Sequence, residues 1–301
     1  MKVRLGARGS ALSVAQSGLV ARSLAPWAEV EIVRIKTTGD RRSAMEAPIS
    51  WKGDFTRELD EALLERRVDF AVHSLKDVPS TLPEGLALAA VPKREDPSDA
   101  LVAHPPRPFS ELPQGARIGT SSPRRKAQLL AARPDLRVLE ARGNVDTRIR
   151  RLREGRFDAI VLARAGLARL GLLAEMTELF PPDVLLPAVG QGALALVSRS
   201  DNGEVRALLG RLDDAPSHAE VLAERSLLAA LEAGCRAPVA GLARAQGETL
   251  RLTAAVFAED GSRALREEVS GIPAEAIALG RAVAEKLLAR GAAELIAANS
   301  R

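Results

Sequence analysis

The chain has 301 residues, of which 46% are hydrophobic and 27% are charged. These values are typical of a soluble globular protein that is long enough for two or three domains. No run approaches the ~20 apolar residues of a membrane-spanning helix, and the first residues lack the pattern of a signal peptide. A single cysteine, Cys235, excludes an internal disulfide, and the three scattered histidines have no metal-ligand spacing. We therefore expect a metal-free protein of the reducing cytoplasm.

The positive charge is unevenly distributed. The formal net charge is only +4, but residues 117–153 hold eleven Lys or Arg against three acids. This segment indicates an acidic ligand. A basic stripe is also the electrostatic signature of a nucleic-acid binder. However, the chain has no Tyr, two Trp and six Phe, so aromatic residues that could stack on bases are scarce. Small polycarboxylates fit the segment at least as well.

Short apolar runs alternate with helical patterns in the first third of the chain. The pattern predicts, in order, a strand over 2–8, a helix from about Ser10, a strand over 29–36, a helix over 54–67 and strands over 69–74 and 86–91. Such alternation favours βαβ units on a largely parallel sheet.

A Pro-rich stretch over 91–115 separates this part from a second one with the same scheme. Here the pattern predicts a strand over 117–120, a helix from Ser121, a strand over 136–142, a helix over 144–155 and a strand over 158–163. The apolar run over 185–198 then returns the chain to the first domain. The remainder, with a long helix over 217–234, favours a small α+β domain.

Two such lobes would form a cleft, and ligands of open α/β sheets bind outside the carboxyl ends of the strands. Charged and hydroxyl residues follow directly on the predicted strands: Arg8, Lys76, Asp77, Thr120, Ser121, Ser122, Arg124, Arg125 and Arg142. The sequence therefore predicts a polar ligand site between the lobes.

Four segments carry a family resemblance: GARGSALSVAQ (6–16), DFAVHSLKDVPS (69–80), IGTSSPRRKAQL (118–129) and RGNVDTRI (142–149). Their order and spacing resemble those of hydroxymethylbilane synthases (porphobilinogen deaminases) over nearly the whole chain. The resemblance implies an α/β fold with two periplasmic-binding-protein-like α/β domains that form a cleft, plus a small C-terminal α+β domain. The expected boundaries are 1–94 with 188–210, 95–187, and 211–301.

The resemblance also implies the reaction. Four porphobilinogen molecules are deaminated and joined head to tail on a covalent dipyrromethane primer, which gives the linear tetrapyrrole hydroxymethylbilane and ammonia. Each step passes through positive charge on a pyrrole ring, so a carboxylate must hold that charge. The resemblance assigns this catalytic role to Asp77. By residue type alone, an Asp after a strand is more often a cap or turn residue.

Each pyrrole carries an acetate and a propionate, and arginine pairs well with carboxylates because its planar fork stays charged. The resemblance implies cofactor binding by Ser74, Lys76, Thr120, Ser121, Ser122, Arg124, Arg125, Asp40 and Gly143. It implies substrate and chain binding by Arg8, Ser10, Gln16, Arg142, Arg148, Arg169 and Phe55. Three further arginines, Arg150, Arg151 and Arg153, are expected on a solvated helix face.

Cys235 follows a predicted helix and a glycine in the segment LEAGCRAP. A lone cysteine is most often a small buried hydrophobic residue. In the family, the cysteine of this motif attaches dipyrromethane through a thioether, so the resemblance implies that Cys235 is the cofactor anchor.

The chain departs from the family in three places. It has WKGDF over 51–55 in place of a Gly-Lys-Gly-Leu-Phe run, SALS over 10–13 in place of Ser-Pro-Leu-Ala, and Ala233-Gly234 in place of Gly-Gly. None of these changes removes a charged catalytic group. They bear on the loop from Thr38 to Asp54 and on how Phe55 faces the pyrroles.

Two alternatives stay open at this point. The chain could be a non-catalytic solute-binding or effector-binding module, because one fold hosts many functions. It could also bind nucleic acid through residues 117–153. The resemblance implies instead that the partners are porphobilinogen and the growing pyrrole chain, with no nucleic acid, no membrane and no obligate protein partner, the chain being a monomer.

Overall fold

A computed structural model of the chain describes residues 1–38, 55–233 and 237–298. The strands are β1 (Lys2–Arg8), β2 (Glu29–Ile35), β3 (Phe70–Ser74), β4 (Leu86–Ala90), β5 (Asp99–Ala103), β6 (Arg117–Gly119), β7 (Arg137–Leu139), β8 (Ala159–Ala163), β9 (Glu178–Leu179), β10 (Leu194–Arg199), β11 (Val239–Gln246), β12 (Thr249–Phe257) and β13 (Ala264–Gly271). The helices are α1 (Ala11–Leu24), α2 (Arg57–Leu64), α3 (Pro123–Ala132), α4 (Val145–Arg153), α5 (Arg164–Arg169), α6 (Gly203–Gly210), α7 (Ala215–Ala230), α8 (Ala276–Ala289) and α9 (Ala292–Ala298).

The first sheet has the strand order β2-β1-β3-β10-β4. Strand β1 pairs in parallel with β2 and β3, whereas β10 is antiparallel to both of its neighbours. One face packs against α1 and α6, through Leu24 and Leu208 among others. The other face packs against α2, through Leu59 and Leu63. The sheet is therefore covered on both sides, which explains why β3, β4 and β10 are mostly apolar.

The second sheet has the order β7-β6-β8-β5-β9. Strand β6 is parallel to β7 and β8, and β5 is antiparallel to β8 and β9. Strand β5 is buried along its whole length, between β8 and β9. It lies inside the Pro-rich stretch over 91–115, where the sequence pattern predicts no strand. The prolines flank this strand and do not enter it.

The third sheet is an antiparallel meander, β11-β12-β13, and α7, α8 and α9 pack on it. Helix α7 ends at Ala230 rather than at the predicted residue 234. Glu232 has a φ of 50°, in the left-handed region that ends a helix. The fold-class prediction is confirmed: two five-stranded α/β sheets are joined to a small α+β part.

Among the described residues, no helix is long and apolar enough to cross a membrane.

Candidate active site between the two lobes

A large cleft, with a volume of about 1280 Å³, lies at the carboxyl ends of β1, β3 and β8 and is bordered by all three parts of the chain. The predicted site residues that line it are Arg8, Ser10, Gln16, Phe55, Ser74, Lys76, Asp77, Ser121, Ser122, Arg124, Arg125, Arg142, Gly143, Arg148 and Arg169. The topology thus brings together residues that are up to 161 positions apart, counting from Arg8 to Arg169. Asp40 and Cys235 lie outside the described residues.

The start of α1 organises the first wall of the cleft. Ser10 caps the helix, with its hydroxyl accepting from the amide of Ser13 at 3.3 Å, and the amide of Arg8 donates to Ser13 Oγ at 3.1 Å. One turn later, Gln16 Nε2 donates to Ser74 Oγ at 2.8 Å. The guanidinium of Arg8 lies 4.1 Å from the ring centroid of Phe55, a cation–π contact. The predicted substrate-side residues of this lobe are therefore neighbours.

Lys76 and Asp77 lie in a single 3₁₀ turn that follows β3 directly. The side chain of Lys76 is open to the cleft, although protein surrounds the cleft on most sides. This enclosure lowers the pKa of Lys76 to about 8, and the charge of Arg125 acts in the same direction whereas that of Asp77 opposes it. Lys76 Nζ donates to Gln191 Oε1 at 3.3 Å.

The second wall begins after β6. Ser122 caps α3 by accepting from the amide of Arg125 at 3.4 Å, and Ser121 Oγ donates to the carbonyl of Ala141 at 2.7 Å. Thr120 is buried and is not among the cleft-lining residues. Its hydroxyl accepts from the amide of Ser122 at 3.2 Å. Thr120 therefore holds the turn in shape rather than facing the cleft.

Arg124 and Arg125 share one buried carboxylate, that of Asp99. Arg124 Nη2 lies 2.8 Å from Asp99 Oδ2, and Arg125 contacts Asp99 Oδ1 through Nη2 at 2.6 Å and through Nε at 3.0 Å. Burial alone would raise the pKa of Asp99, but the two guanidiniums lower it to about 2. Asp99 is therefore ionised at neutral pH.

The turn into α4 supplies the remaining cations of this wall. Gly143 has a φ of 99°, and its carbonyl accepts from Arg148 Nε at 2.8 Å. Burial lowers the pKa of Arg148 to about 10, an effect that Arg125 increases and Asp77 opposes. Arg142 pairs with Glu140 at 2.7 Å. Asp77 thus lies in the electric field of cations from both lobes.

Arg169 reaches the cleft from α5 of the second lobe. Its Nη2 donates to the carbonyl of Gly192 at 2.5 Å, in the segment that crosses between the lobes. Burial lowers the pKa of Arg169 to about 10, and the charge of Glu95 acts in the opposite direction.

One expectation for the helix α4 arginines is wrong. Arg150 and Arg153 are exposed, as predicted, but Arg151 is buried and donates from Nη1 to the carbonyl of Arg142 at 3.0 Å. Arg151 is buried together with Ile149 and Leu152 of the same helix. It therefore supports the backbone of a cleft-lining residue.

Asp99 and Gln191 were missed as site residues. Gln191 is 1% exposed, and its Nε2 donates to Asp99 Oδ1 at 2.8 Å and to the carbonyl of Pro97 at 2.6 Å. Asp99 lies in the Pro-rich stretch over 91–115 and Gln191 in the apolar run over 185–198, and neither segment was predicted to supply a site residue. A signal was present: a polar residue between two glycines, and an aspartate that opens a buried apolar run.

The third part of the chain borders the cleft with the residues around Cys235. Glu232 and Ala233 precede the undescribed residues 234–236, and Ala237 follows them. All three line the cleft. Each end of the short segment that carries Cys235 is therefore at the site.

Known proteins of one family are similar to this chain over nearly its whole length. The sequence profile of the porphobilinogen deaminase, dipyromethane cofactor binding domain matches residues 3–207, and that of the porphobilinogen deaminase C-terminal domain matches 218–289. The chain is 51% identical to the porphobilinogen deaminase of Rubrobacter xylanophilus, over 97% of this chain and 95% of the relative. It is 46% identical to that of Syntrophobacter fumaroxidans, over 98% and 96%.

Among solved structures, the chain is similar to a putative methionine-binding lipoprotein of Bacillus subtilis. The TM-score is 0.42 at 12% identity, over 71% of this chain and 90% of that one. The two matched profiles, together with 46–51% identity to curated relatives over nearly the full length, establish that this chain belongs to the porphobilinogen deaminase family.

Proposed function

We propose that the cleft between the lobes is where the chain performs its family's reaction, with Asp77 as the catalytic carboxylate and Cys235 as the cofactor anchor. As a member of the porphobilinogen deaminase family, the chain is a transferase of tetrapyrrole biosynthesis that polymerises porphobilinogen to hydroxymethylbilane. The observation that carries the assignment of roles is the convergence in one cleft of Asp77, the seven cations predicted from sequence and both ends of the Cys235 segment.

The residues of the cleft fit a dipyrromethane. Such a group carries four carboxylates, and the cleft presents Arg8, Lys76, Arg124, Arg125, Arg142, Arg148 and Arg169. In addition, Arg124 Nε is buried and has no hydrogen-bond partner among the described residues. An unsatisfied buried donor is costly, and a carboxylate is a suitable acceptor for it. When bound, the cofactor supplies a pyrrole carbon onto which the first substrate is joined.

The chain's own residues divide the remaining tasks. Asp77 accepts hydrogen bonds from pyrrole N–H groups and stabilises the positive charge that develops on the substrate ring, in a site whose walls reduce solvent screening. It also moves protons at its carboxylate oxygens. Lys76, Arg124 and Arg125, with Ser74, Ser121, Ser122 and Gly143, bind the cofactor side, with Thr120 behind them. Asp40 is assigned to this group by resemblance alone.

The substrate and the growing chain are bound by Arg8, Ser10, Gln16, Arg142, Arg148 and Arg169, with Phe55 placed against Arg8. Bidentate arginine contacts orient the acetate and propionate groups, and orientation itself lowers the barrier to joining two rings.

We further propose that the chain works as a cytoplasmic monomer with no nucleic-acid or obligate protein partner. Much of the basic segment 117–153 is engaged within the protein: acidic partners are present for Arg117, Arg124, Arg125, Lys126, Arg133, Arg142, Arg150 and Arg153. Salt-sensitive binding of DNA or RNA would contradict this part of the proposal.

The change Cys235→Ser tests the anchor. Serine is a much poorer nucleophile than a thiolate, so this variant is expected to lose the thioether-linked pyrroles, the colour with Ehrlich's reagent and the activity together. Intact mass and absorbance measure the loss. Ala289→Ser, a hydroxyl placed on the exposed surface of α8 away from the cleft, is the control and is expected to load normally. A fully active Cys235→Ser protein with normal pyrrole adduct would refute the assignment.

A further inference from the structure

Asp99 is the one residue whose carboxylate contacts both arginines of the cofactor wall among the described residues. We propose that Asp99 is a positioning residue, which sets the directions of Arg124 and Arg125 before dipyrromethane arrives and so makes loading possible. This inference rests on the proposed function of the cleft. Asp99 itself is fully buried and does not line the cleft, so it acts through the arginines and not by contact with a ligand.

Each guanidinium plane is fixed from more than one side. Besides Asp99, Arg124 Nη1 donates to the carbonyl of Leu186 at 2.6 Å, and Arg125 Nη1 donates to the carbonyl of Val161 at 2.9 Å. A planar fork that is held by a carboxylate and a carbonyl keeps one orientation. A side chain that already keeps one orientation pays a smaller ordering cost when a ligand binds.

The charge balance requires such a carboxylate. Arg124 and Arg125 are consecutive residues with only 4% and 6% exposure. Two buried like charges repel each other strongly, because the protein interior screens them poorly. Asp99 offsets one of the two charges and leaves a net positive charge toward the cleft. The wall is thus stable without a ligand and still attracts an anion.

The influence of Asp99 extends to the opposite lobe through Gln191. This side chain donates to Asp99 from Nε2, and its Oε1 accepts from Lys76 Nζ. Lys76 is adjacent to Asp77 in the 3₁₀ turn. Without the carboxylate, three cofactor-side cations would therefore no longer be held in their present orientations. Arg124 and Arg125 contact it directly, and Lys76 is linked to it through Gln191.

The test compares Asp99→Asn with Asp158→Asn. Asp158 also contacts an arginine of the same lobe through two nitrogens, Arg117 Nη2 at 2.7 Å and Nε at 3.2 Å, but this pair is partly exposed and Asp158 does not line the cleft. The full-length unloaded chain is titrated with porphobilinogen, and the adduct is followed by intact mass. The quantity compared is the half-loading concentration, the porphobilinogen concentration at which half of the chains carry the adduct. We expect it to rise about tenfold or more for Asp99→Asn, because this change removes a hydrogen bond between charged groups. We expect it to stay unchanged for Asp158→Asn.

A second readout follows the arginines directly. The Nε–H nuclear magnetic resonance signals of Arg124 and Arg125 are expected to be sharp and slow to exchange in the wild-type chain and to broaden in Asp99→Asn. Normal loading of a folded Asp99→Asn chain, or unchanged arginine signals, would overturn the inference. A wild-type chain that forms no adduct would instead contradict the proposed function, while the arginine signals would still decide the role of Asp99.

Gln191→Met keeps the inference testable if Asp99→Asn does not fold. Methionine retains the length of glutamine but cannot donate to Asp99, and its sulfur is only a weak acceptor for Lys76. Because Asp99 and both arginines remain, we expect a smaller rise in the half-loading concentration, of a few-fold, with retained cooperative unfolding. Loading identical to that of the wild type would show that the network does not position the cations.

Discussion

The molecule has two buried ionic clusters that are built from similar residues but carry opposite net charge. The cleft cluster, formed by Asp99, Arg124, Arg125 and Gln191, has two arginines for one carboxylate. The junction cluster, formed by Arg94, Glu220 and Glu224, has one arginine for two carboxylates and joins α7 to the segment that leads into the second lobe. The first carries surplus positive charge and the second carries surplus negative charge.

The two clusters also differ in how completely their charged groups are hydrogen-bonded. In the junction cluster, backbone amides complete the carboxylates: Gly190 donates to Glu224 at 2.6 Å, Ala243 donates to it at 2.8 Å, and Ala245 donates to Glu220 at 3.0 Å. In the cleft cluster, Arg124 Nε has no partner among the described residues. A cluster whose hydrogen bonds are complete holds domains together, whereas one that keeps an unused donor at a cleft wall is prepared for a ligand.

The largest expected effect distinguishes the arginines proposed to bind the cofactor from those proposed to bind the substrate. Arg124→Leu and Arg125→Leu are expected to leave a chain largely without dipyrromethane, because each removes a cofactor-side charge and leaves Asp99 partly unpaired. Arg8→Leu and Arg142→Leu are expected to keep the cofactor and to stall initiation or extension. Intact masses distinguish the two results. The same mass pattern in all four variants would refute this division of roles.

Asp77→Asn is expected to reduce turnover by about 10²–10³-fold, because the amide keeps the shape of the side chain but not its charge. Neither ionic cluster is touched, so the pyrrole adduct and the unfolding transition are expected to stay as in the wild-type chain. Steady-state formation of hydroxymethylbilane measures the effect. Near-normal turnover in the folded variant would remove Asp77 from the catalytic role.

Glu224→Gln tests the junction cluster. The side chain of Glu224 is fully buried and accepts from Arg94 through both oxygens. Loss of its charge is expected to reduce the free energy of unfolding by about 3 kcal/mol, because a buried pair is broken. Denaturant unfolding followed by two probes measures the loss. Adduct formation by the remaining folded protein is expected to be normal. A loading defect without loss of stability would contradict the view that the junction cluster stabilises the fold and only the cleft cluster serves cofactor loading.

The smallest expected effect concerns Asp60, a buried carboxyl that lines the cleft. Burial raises its pKa to about 6, so the folded chain binds more protons here than the unfolded chain between about pH 4 and 6. Stability from this group is therefore present below pH 4 and is lost as the pH rises through 6. The full shift corresponds to about 3 kcal/mol, which screening by solvent in the cleft reduces to roughly 1 kcal/mol. Asp60→Asn is expected to flatten that part of the stability profile. An unchanged slope would mean that Asp60 titrates normally.

Much of the cleft could be predicted from sequence because strand ends fix where side chains go. Arg8, Asp77 and Arg142 lie at or just after the ends of segments that were predicted to be strands, and the structure brings them to one cleft. Partner choice could not be predicted in the same way. The pairing of Arg125 with Asp99 depends on how α3 packs against β5, and no strand was predicted at β5 because prolines flank it.

The burial of Arg151 shows the same limit at the level of one residue. In RIRRLR, the helical period alone places Arg151 one position before the apolar Leu152, at the margin of the polar face. Only the nearby carbonyl of Arg142 determines that it packs inward. Local pattern therefore predicts which segments reach the site, and tertiary contacts determine which charges remain available there.

The position of β10 also constrains how the chain can be made. Strand β10 lies between β3 and β4, yet roughly a hundred residues separate it from β4 in the sequence. At a synthesis rate of 5–20 residues per second, the ribosome needs roughly 5–20 s to supply that strand after β4 is complete. During this interval the facing edges of β3 and β4 lack the strand that joins them in the finished sheet, while β5 to β9, which form a complete sheet by themselves, emerge first. The second lobe is therefore the part of the chain that can fold first on the ribosome, although it is encoded second.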